Sequence, residues 1–182
     1  FGALEPPVKE RDILRIEAPL GTFFLREDST RPIVLLASGT GFAPVKAIAE
    51  HVFYKRINRD EPGKPAREVW LYWGARSRRD LYMSELPEQW AREQPNFRYI
   101  PVLSEPQPED AWQGRTGFVH LAVMQDLPDL SAFQVYACGA PVMTDAARRD
   151  FVGQCGLPEE EFFADAFTTQ ADAFSGRVAY RF

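Results

Sequence analysis

The stretch Ile33-Val34-Leu35-Leu36-Ala37-Ser38-Gly39-Thr40-Gly41-Phe42-Ala43-Pro44 constrains the fold of this chain more than any other. An unbroken Ile/Val/Leu run suits a strand buried on both faces, as in a parallel sheet. It ends in Gly-x-Gly, where the backbone can turn sharply and no Cβ separates the main chain from a ligand. A helix-like pattern begins directly behind the turn, with Pro44 in the first helical turn, where a missing N–H is tolerated. The helix then offers free N–H groups and the positive end of its dipole above the sheet. This is a place to hold a dinucleotide.

From Arg31 onward apolar strand-like runs alternate with helix-like segments, the pattern of βαβ units around a parallel sheet. The periodicity predicts strands at 33–38, 68–73, 97–103, 133–138 and near 162–167, with helices at 43–56, 80–93, 117–126 and 141–154. Ahead of them, Asp12 to Glu17 alternates as a half-buried strand does, and Thr22 to Leu25 reads as a second short extended piece. Residues 58–65 and 104–114 read as solvated loops.

Four of the strands run out into a polar or glycine-containing turn: Ser38-Gly39-Thr40, Trp73-Gly74-Ala75-Arg76, Leu103-Ser104-Glu105 and Ala137-Cys138-Gly139-Ala140-Pro141. In an open α/β sheet the carboxyl ends of the strands share one edge, where ligands bind. The first turn is not a Rossmann fingerprint. Pro44 stands where the third glycine belongs, and no acidic residue ends the second strand. A structural turn and a ligand-facing turn both fit Gly39-Thr40-Gly41. Arg76, Arg78 and Arg79 suit phosphate oxygens as a group, with a solvated charged turn as the alternative and Asp80 as a helix N-cap. Cys138 has no histidine tied to it, so a buried apolar role or contact with a ligand ring fits better than nucleophilic catalysis.

Composition excludes several classes. The formal net charge is −5 and no Lys/Arg block resembles a nucleic-acid footprint. No apolar run approaches the roughly 18 residues of a membrane span. Two cysteines cannot build a disulfide framework, and no Cys/His cluster has metal-ligand spacing, so no metal site is expected and a reducing, cytoplasmic setting fits. The chain starts at Phe1 without Met or a signal-peptide pattern and reads as a piece of a longer one.

Taken together, Pro19-Leu20-Gly21-Thr22-Phe23, Gly39-Thr40-Gly41-Phe42-Ala43-Pro44, Tyr72-Trp73-Gly74-Ala75-Arg76, Cys138-Gly139-Ala140-Pro141 and Phe162-Phe163-Ala164-Asp165-Ala166-Phe167 resemble the pyridine-nucleotide domain of the ferredoxin–NADP reductase superfamily. The likeness is to reductases of the CDP-6-deoxy-glucoseen and oxygenase-reductase type. It implies an α/β fold with a five-stranded parallel sheet of order 3-2-1-4-5. Residues 1–30 would be the end of an FAD-binding barrel with a small antiparallel remnant, 31–167 the NAD(P)-binding domain and 168–182 a tail without an assigned role.

The resemblance further implies that NADH or NADPH passes hydride to FAD, whose electrons go singly to an iron–sulfur centre, a [2Fe–2S] domain or a ferredoxin-like partner. It places Gly39, Thr40 and Gly41 at the nicotinamide and pyrophosphate, Cys138 and Gly139 near the nicotinamide, and Phe167 against the flavin. Thr40, Cys138 and Phe167 would serve hydride transfer. Gly21, Pro44, Gly74, Arg76, Arg78, Ser104, Glu105 and Pro141 would complete the cofactor contacts. The family's flavin-binding Arg-x-Tyr-Ser motif and its cluster cysteines would lie upstream of Phe1. Glu105 fills the position where NADP-specific relatives carry arginine, which favours NADH. A nucleotide-binding module that has lost the redox role is the alternative.

Overall fold

The computed structural model of the protein describes residues 9–13, 15 and 21–167. Its strands are β1 (Ile33–Ser38), β2 (Val69–Ala75), β3 (Phe97–Leu103), β4 (Arg115–Thr116), β5 (Gln134–Gly139) and β6 (Phe162–Ala166). Its α-helices are α1 (Phe42–Tyr54), α2 (Glu85–Glu93), α3 (Val119–Asp126) and α4 (Pro141–Gln154). The strands form one sheet of order β4-β3-β2-β1-β5-β6, and every pairing in it is parallel.

β1 lies at the centre because every residue from Ile33 to Ala37 is apolar and can be buried on either face. Ile33, Leu35 and Ala37 point into one core with Phe42, Val45, Ile48, Ala49 and Val52 of α1 and Trp90 of α2. Val34 and Leu36 point into the other, with Val119, Ala122 and Val123 of α3 and Ala147 and Phe151 of α4. The period of two in the strand meets spacings of three and four in the helices, and each face is closed by two helices.

The five expected strands appear in the expected order. The sixth, β4, extends the sheet beyond β3 by two residues, with Val102 opposite Arg115 and Leu103 opposite Thr116. Two residues leave no periodicity to read. β4 is instead held by side chains: Arg115 donates to Asp126 and to Gln125 Oε1 (3.0 Å), and Trp112 Nε1–H donates to the Arg115 carbonyl (2.8 Å).

The helix expected over 80–93 is shorter than its periodicity suggested. Asp80 does not cap it; its carboxylate folds back onto the Ser77 N–H (3.1 Å) and Oγ–H (2.8 Å), closing a 3₁₀ turn at Arg78–Asp80. The α-helix resumes only at Glu85. The helix expected from 117 starts at Val119, after Gly117 at φ +105°. Of the antiparallel remnant expected between 8 and 25, residues 8, 14 and 16–20 lie outside the described residues, and the described ones there form turns and bends rather than strands. The tail 168–182 also lies outside them.

At the amino edge of the sheet the approach to β1 is pinned by buried Arg67. It donates to the Arg31 carbonyl, the Arg26 carbonyl (3.0 Å) and Gln134 Oε1 (2.7 Å). The opposite, carboxyl edge is left open.

Candidate functional site

The turns that leave the strands converge on one open cleft of about 1540 Å³ at the carboxyl edge. Gly39 and Thr40 enter it from β1, Gly74 and Arg76 from β2, Ser104 and Glu105 from β3, Gly139 from β5, and Phe167 from beyond β6. The exits are laced to one another by main-chain bonds. Ser104 N–H donates to the Ala75 carbonyl (2.9 Å), Glu105 N–H to the Arg76 carbonyl (2.9 Å) and Phe167 N–H to the Gly139 carbonyl (2.8 Å). Across the switch point, Ala140 N–H donates to Ser38 Oγ (3.1 Å).

Two glycines make the first turn possible. Gly39 has φ +51° and open space where a side chain would stand, so a ligand can reach its backbone. Gly41 is wedged against β5: a Cβ there would lie 2.1 Å from the Cys138 carbonyl oxygen. Only glycine lets the turn close against the neighbouring strand.

The electrostatics divide the cleft. α1, α3 and α4 all begin at this edge without a side-chain cap and without an acidic residue in the first turn. α2, whose N-terminus does not line the cleft, carries Glu85 and Glu88 there. The first N–H groups of a helix have no partner inside it, so the starts of α3 and α4, together with the Gly39–Gly41 turn that leads into α1, form a positive strip suited to phosphate oxygens. Arg76, Arg79 and Arg149 stand on the same cleft. Beyond β3 the sign reverses, with Glu105, Glu109 and Asp110 on the wall.

Gly39, Thr40, Gly74, Arg76, Arg79, Ser104, Glu105, Gly139 and Phe167 are thus brought together as the sequence suggests. Six candidates do not line the cleft, the first being Gly41, which is buried against β5. Cys138 is fully buried in the core beneath the rim, and burial, with Asp165 adding to it, pushes its thiol up to about 12. Neither its sulfur nor its main chain lines the cleft, so the residue stands behind Gly139 rather than on the rim itself. Arg78 turns away to the Asp110 carbonyl (3.4 Å). Pro44 and Pro141 sit inside the first turns of α1 and α4, and Gly21 lies in an exposed bend outside the cleft.

The structure adds residues the sequence did not single out. His120, at the start of α3, lines the cleft with its Nε2 3.4 Å from Asp150 Oδ2, and burial lowers its pKa despite that carboxylate. Arg149 grips Asp150 with Nε–H (2.8 Å) and Nη2–H (3.0 Å). Phe118, exposed, lies nearly parallel to the His120 ring. Val142, Ala146 and Arg149 reach the cleft from one face of α4. Their spacing of four and three was a readable signal, whereas nothing in the local sequence joins His120 to Asp150.

An open parallel sheet with uncapped helix ends and a glycine turn along its carboxyl edge defines a dinucleotide-binding α/β domain. The family described as the oxidoreductase NAD-binding domain matches residues 35–149. The chain is 49% identical over 168 residues to Protein RfbI of Salmonella typhimurium, covering 92% of this chain and 46% of that one. It is 49% identical over 160 residues to the CDP-6-deoxy-L-threo-D-glycero-4-hexulose-3-dehydrase reductase of Yersinia pestis, covering 88% and 45%. Among solved structures, the Amycolatopsis cytochrome P450 reductase GcoB superposes with a TM-score of 0.71 at 32% identity, over 84% of this chain and 43% of that one. The chain therefore belongs to the oxidoreductase NAD-binding domain family, within the ferredoxin–NADP reductase superfamily. It spans less than half the length of these relatives.

Proposed function

We propose that this chain is the pyridine-nucleotide domain of an NADH-dependent flavoprotein reductase that feeds electrons to an iron–sulfur centre. The observation that carries the reading is the convergence of the uncapped N-termini of α3 and α4 and the Gly39 turn on one cleft. The pyrophosphate lies across the positive strip near Gly39 and Thr40, and Arg76 and Arg79 hold its oxygens. The nicotinamide lies toward Gly139 and Phe167, where main chain and an aromatic ring, rather than the Cys138 thiol, form the wall.

In the intact reductase NADH would supply hydride and FAD would pass it on as single electrons; residues 1–30 would be the end of the barrel that holds the flavin. The part played by this chain is to hold the nicotinamide in a fixed place and keep water away from one face. Phe167 is suited to that task because its N–H is tied to the Gly139 carbonyl. A [2Fe–2S] domain or a ferredoxin-like protein is the acceptor; the Yersinia relative is named as the reductase of a dehydrase and the Amycolatopsis structure as that of a cytochrome P450. Two buried, free cysteines suit a reducing cytoplasm.

Glu105 sets the choice of nucleotide. Its main chain is fixed by Arg76, and its exposed carboxylate belongs to the acidic wall with Glu109 and Asp110. A carboxylate accepts hydrogen bonds from free ribose hydroxyls and repels a 2′-phosphate by about 1–3 kcal/mol in a partly desolvated groove. The test is kcat/KM for NADH and NADPH on the intact reductase, with Glu105→Arg beside it. The parent prefers NADH, and the variant moves the ratio toward NADPH by about tenfold or more. A parent that prefers NADPH, or a variant with no shift, contradicts the assignment.

A further inference from the structure

We propose that Trp73 is a positioning residue that aims the Thr40 N–H into the cleft; the inference rests on the nucleotide reading of that cleft. Trp73 is fully buried on β2, yet its indole Nε1–H crosses to the end of β1 and donates to the Gly39 carbonyl at 3.0 Å. Among the described residues this is the one side-chain hydrogen bond to the Gly39–Gly41 turn. In a trans peptide the C=O and the following N–H point in opposite directions. With the Gly39 oxygen held by the buried indole and by the Phe42 N–H, the N–H of the same peptide, that of Thr40, is directed away from the core. Thr40 is exposed and lines the cleft.

The indole is itself fixed. The Phe42 ring stacks on it at 3.9 Å and 9°, and the Tyr82 ring meets it edge-on at 5.2 Å and 84°. On its other side the turn abuts the Cys138 carbonyl through Gly41. Left alone, Gly39 would visit many conformations; here its φ of +51° is held between β2 and β5. The ligand group served is an anionic oxygen, and in the dinucleotide that is the pyrophosphate. An aromatic ring without a donor at position 73 would leave the Gly39 carbonyl with the Phe42 N–H as its one partner and loosen the peptide.

Trp73→Phe tests this, because it keeps a ring for Phe42 to stack on and removes the donor along with part of the indole's volume, a packing loss that would weaken both ligands alike. NADH and adenosine are titrated into the full 182-residue chain, parent and variant, by amide NMR. Adenosine lacks the pyrophosphate and reports on the far part of the cleft. The NADH dissociation constant rises about tenfold in the variant, the adenosine constant does not change, and the Thr40 amide loses order and exchanges faster. Unchanged NADH affinity, or an equal loss for both ligands, overturns the proposal. Should the parent bind neither ligand, the nucleotide reading itself has failed. The Thr40 amide then decides alone: equal order in parent and variant overturns the positioning role.

Discussion

Gly39 and Gly41 stand two residues apart in one turn and are glycine for different reasons. At Gly41 the obstacle is the Cys138 carbonyl, a backbone atom that cannot step aside. At Gly39 there is free space, and only φ +51° opposes a side chain. Gly41→Ala is therefore expected to lose about 2–3 kcal/mol of stability, as overpacking against backbone does, and Gly39→Ala about 1–2 kcal/mol from the left-handed conformation alone. Urea denaturation of the two variants measures the difference; equal losses would contradict the distinction.

His120 supplies a second residue-scale prediction. Burial lowers its pKa below the ordinary value near 6.5, so on acidification the unfolded chain takes up a proton before the folded one. Its contribution is present above about pH 6.5 and is lost as pH falls from there toward the folded pKa. The carboxylates of Asp80, Asp129, Asp150 and Glu27 are held below their ordinary range and act at lower pH. Between pH 7 and about 5 the urea midpoint of His120→Gln is thus expected to fall less steeply than that of the parent. Parallel slopes would contradict it.

The glycine turn was legible because an apolar run followed by Gly-x-Gly leaves few alternatives. Trp73 was not, because a buried aromatic on a strand has the same pattern whether or not its N–H reaches another strand. Cys138 was placed on the rim by position in sequence. Its side chain faces the core because alternation along β5 sends Tyr136 and Cys138 to the face covered by α1, away from Val135 and Ala137.

At the scale of elements, the β3 edge depends on Asp126 at the end of α3. Its carboxylate accepts from Arg115 of β4 and from the Tyr72 hydroxyl of β2 (3.1 Å), and the phenol is pushed up by burial and by that carboxylate. One side chain thus ties a helix to two strands. Asp126→Ala leaves a partly buried hydroxyl and a guanidinium without their acceptor, and is expected to cost about 1–3 kcal/mol. Hydrogen exchange should show Arg115 and Thr116 losing protection while β1 and β5 keep theirs. Uniform loss, or none, would contradict a local tie. The long strands and helices were readable from periodicity; β4 and the 3₁₀ turn at Arg78–Asp80 rest on two or three side-chain bonds each, which periodicity does not carry.

At the scale of the whole molecule the two edges of the sheet are built for different ends. The amino edge is closed by the bonds of Arg67 to Arg26, Arg31 and Gln134. The carboxyl edge gathers uncapped helix ends, the Gly39 turn and exposed arginines. Such an edge leaves backbone groups in need of partners, and a bound anion supplies them. The order of its turns was legible in the sequence. The pairing of His120 with Asp150 and the acidic wall beyond β3 were not, because they join loops and helices distant in the chain.

The most direct test of the account is an amide NMR titration of the 182-residue chain with NADH. Saturable shifts are predicted at Gly39, Thr40, Gly74, Ser104 and Gly139, with the amino edge around Arg67 and Gln134 unmoved. Absence of saturable shifts at the carboxyl edge, or shifts centred on Arg67 and Gln134, would contradict it.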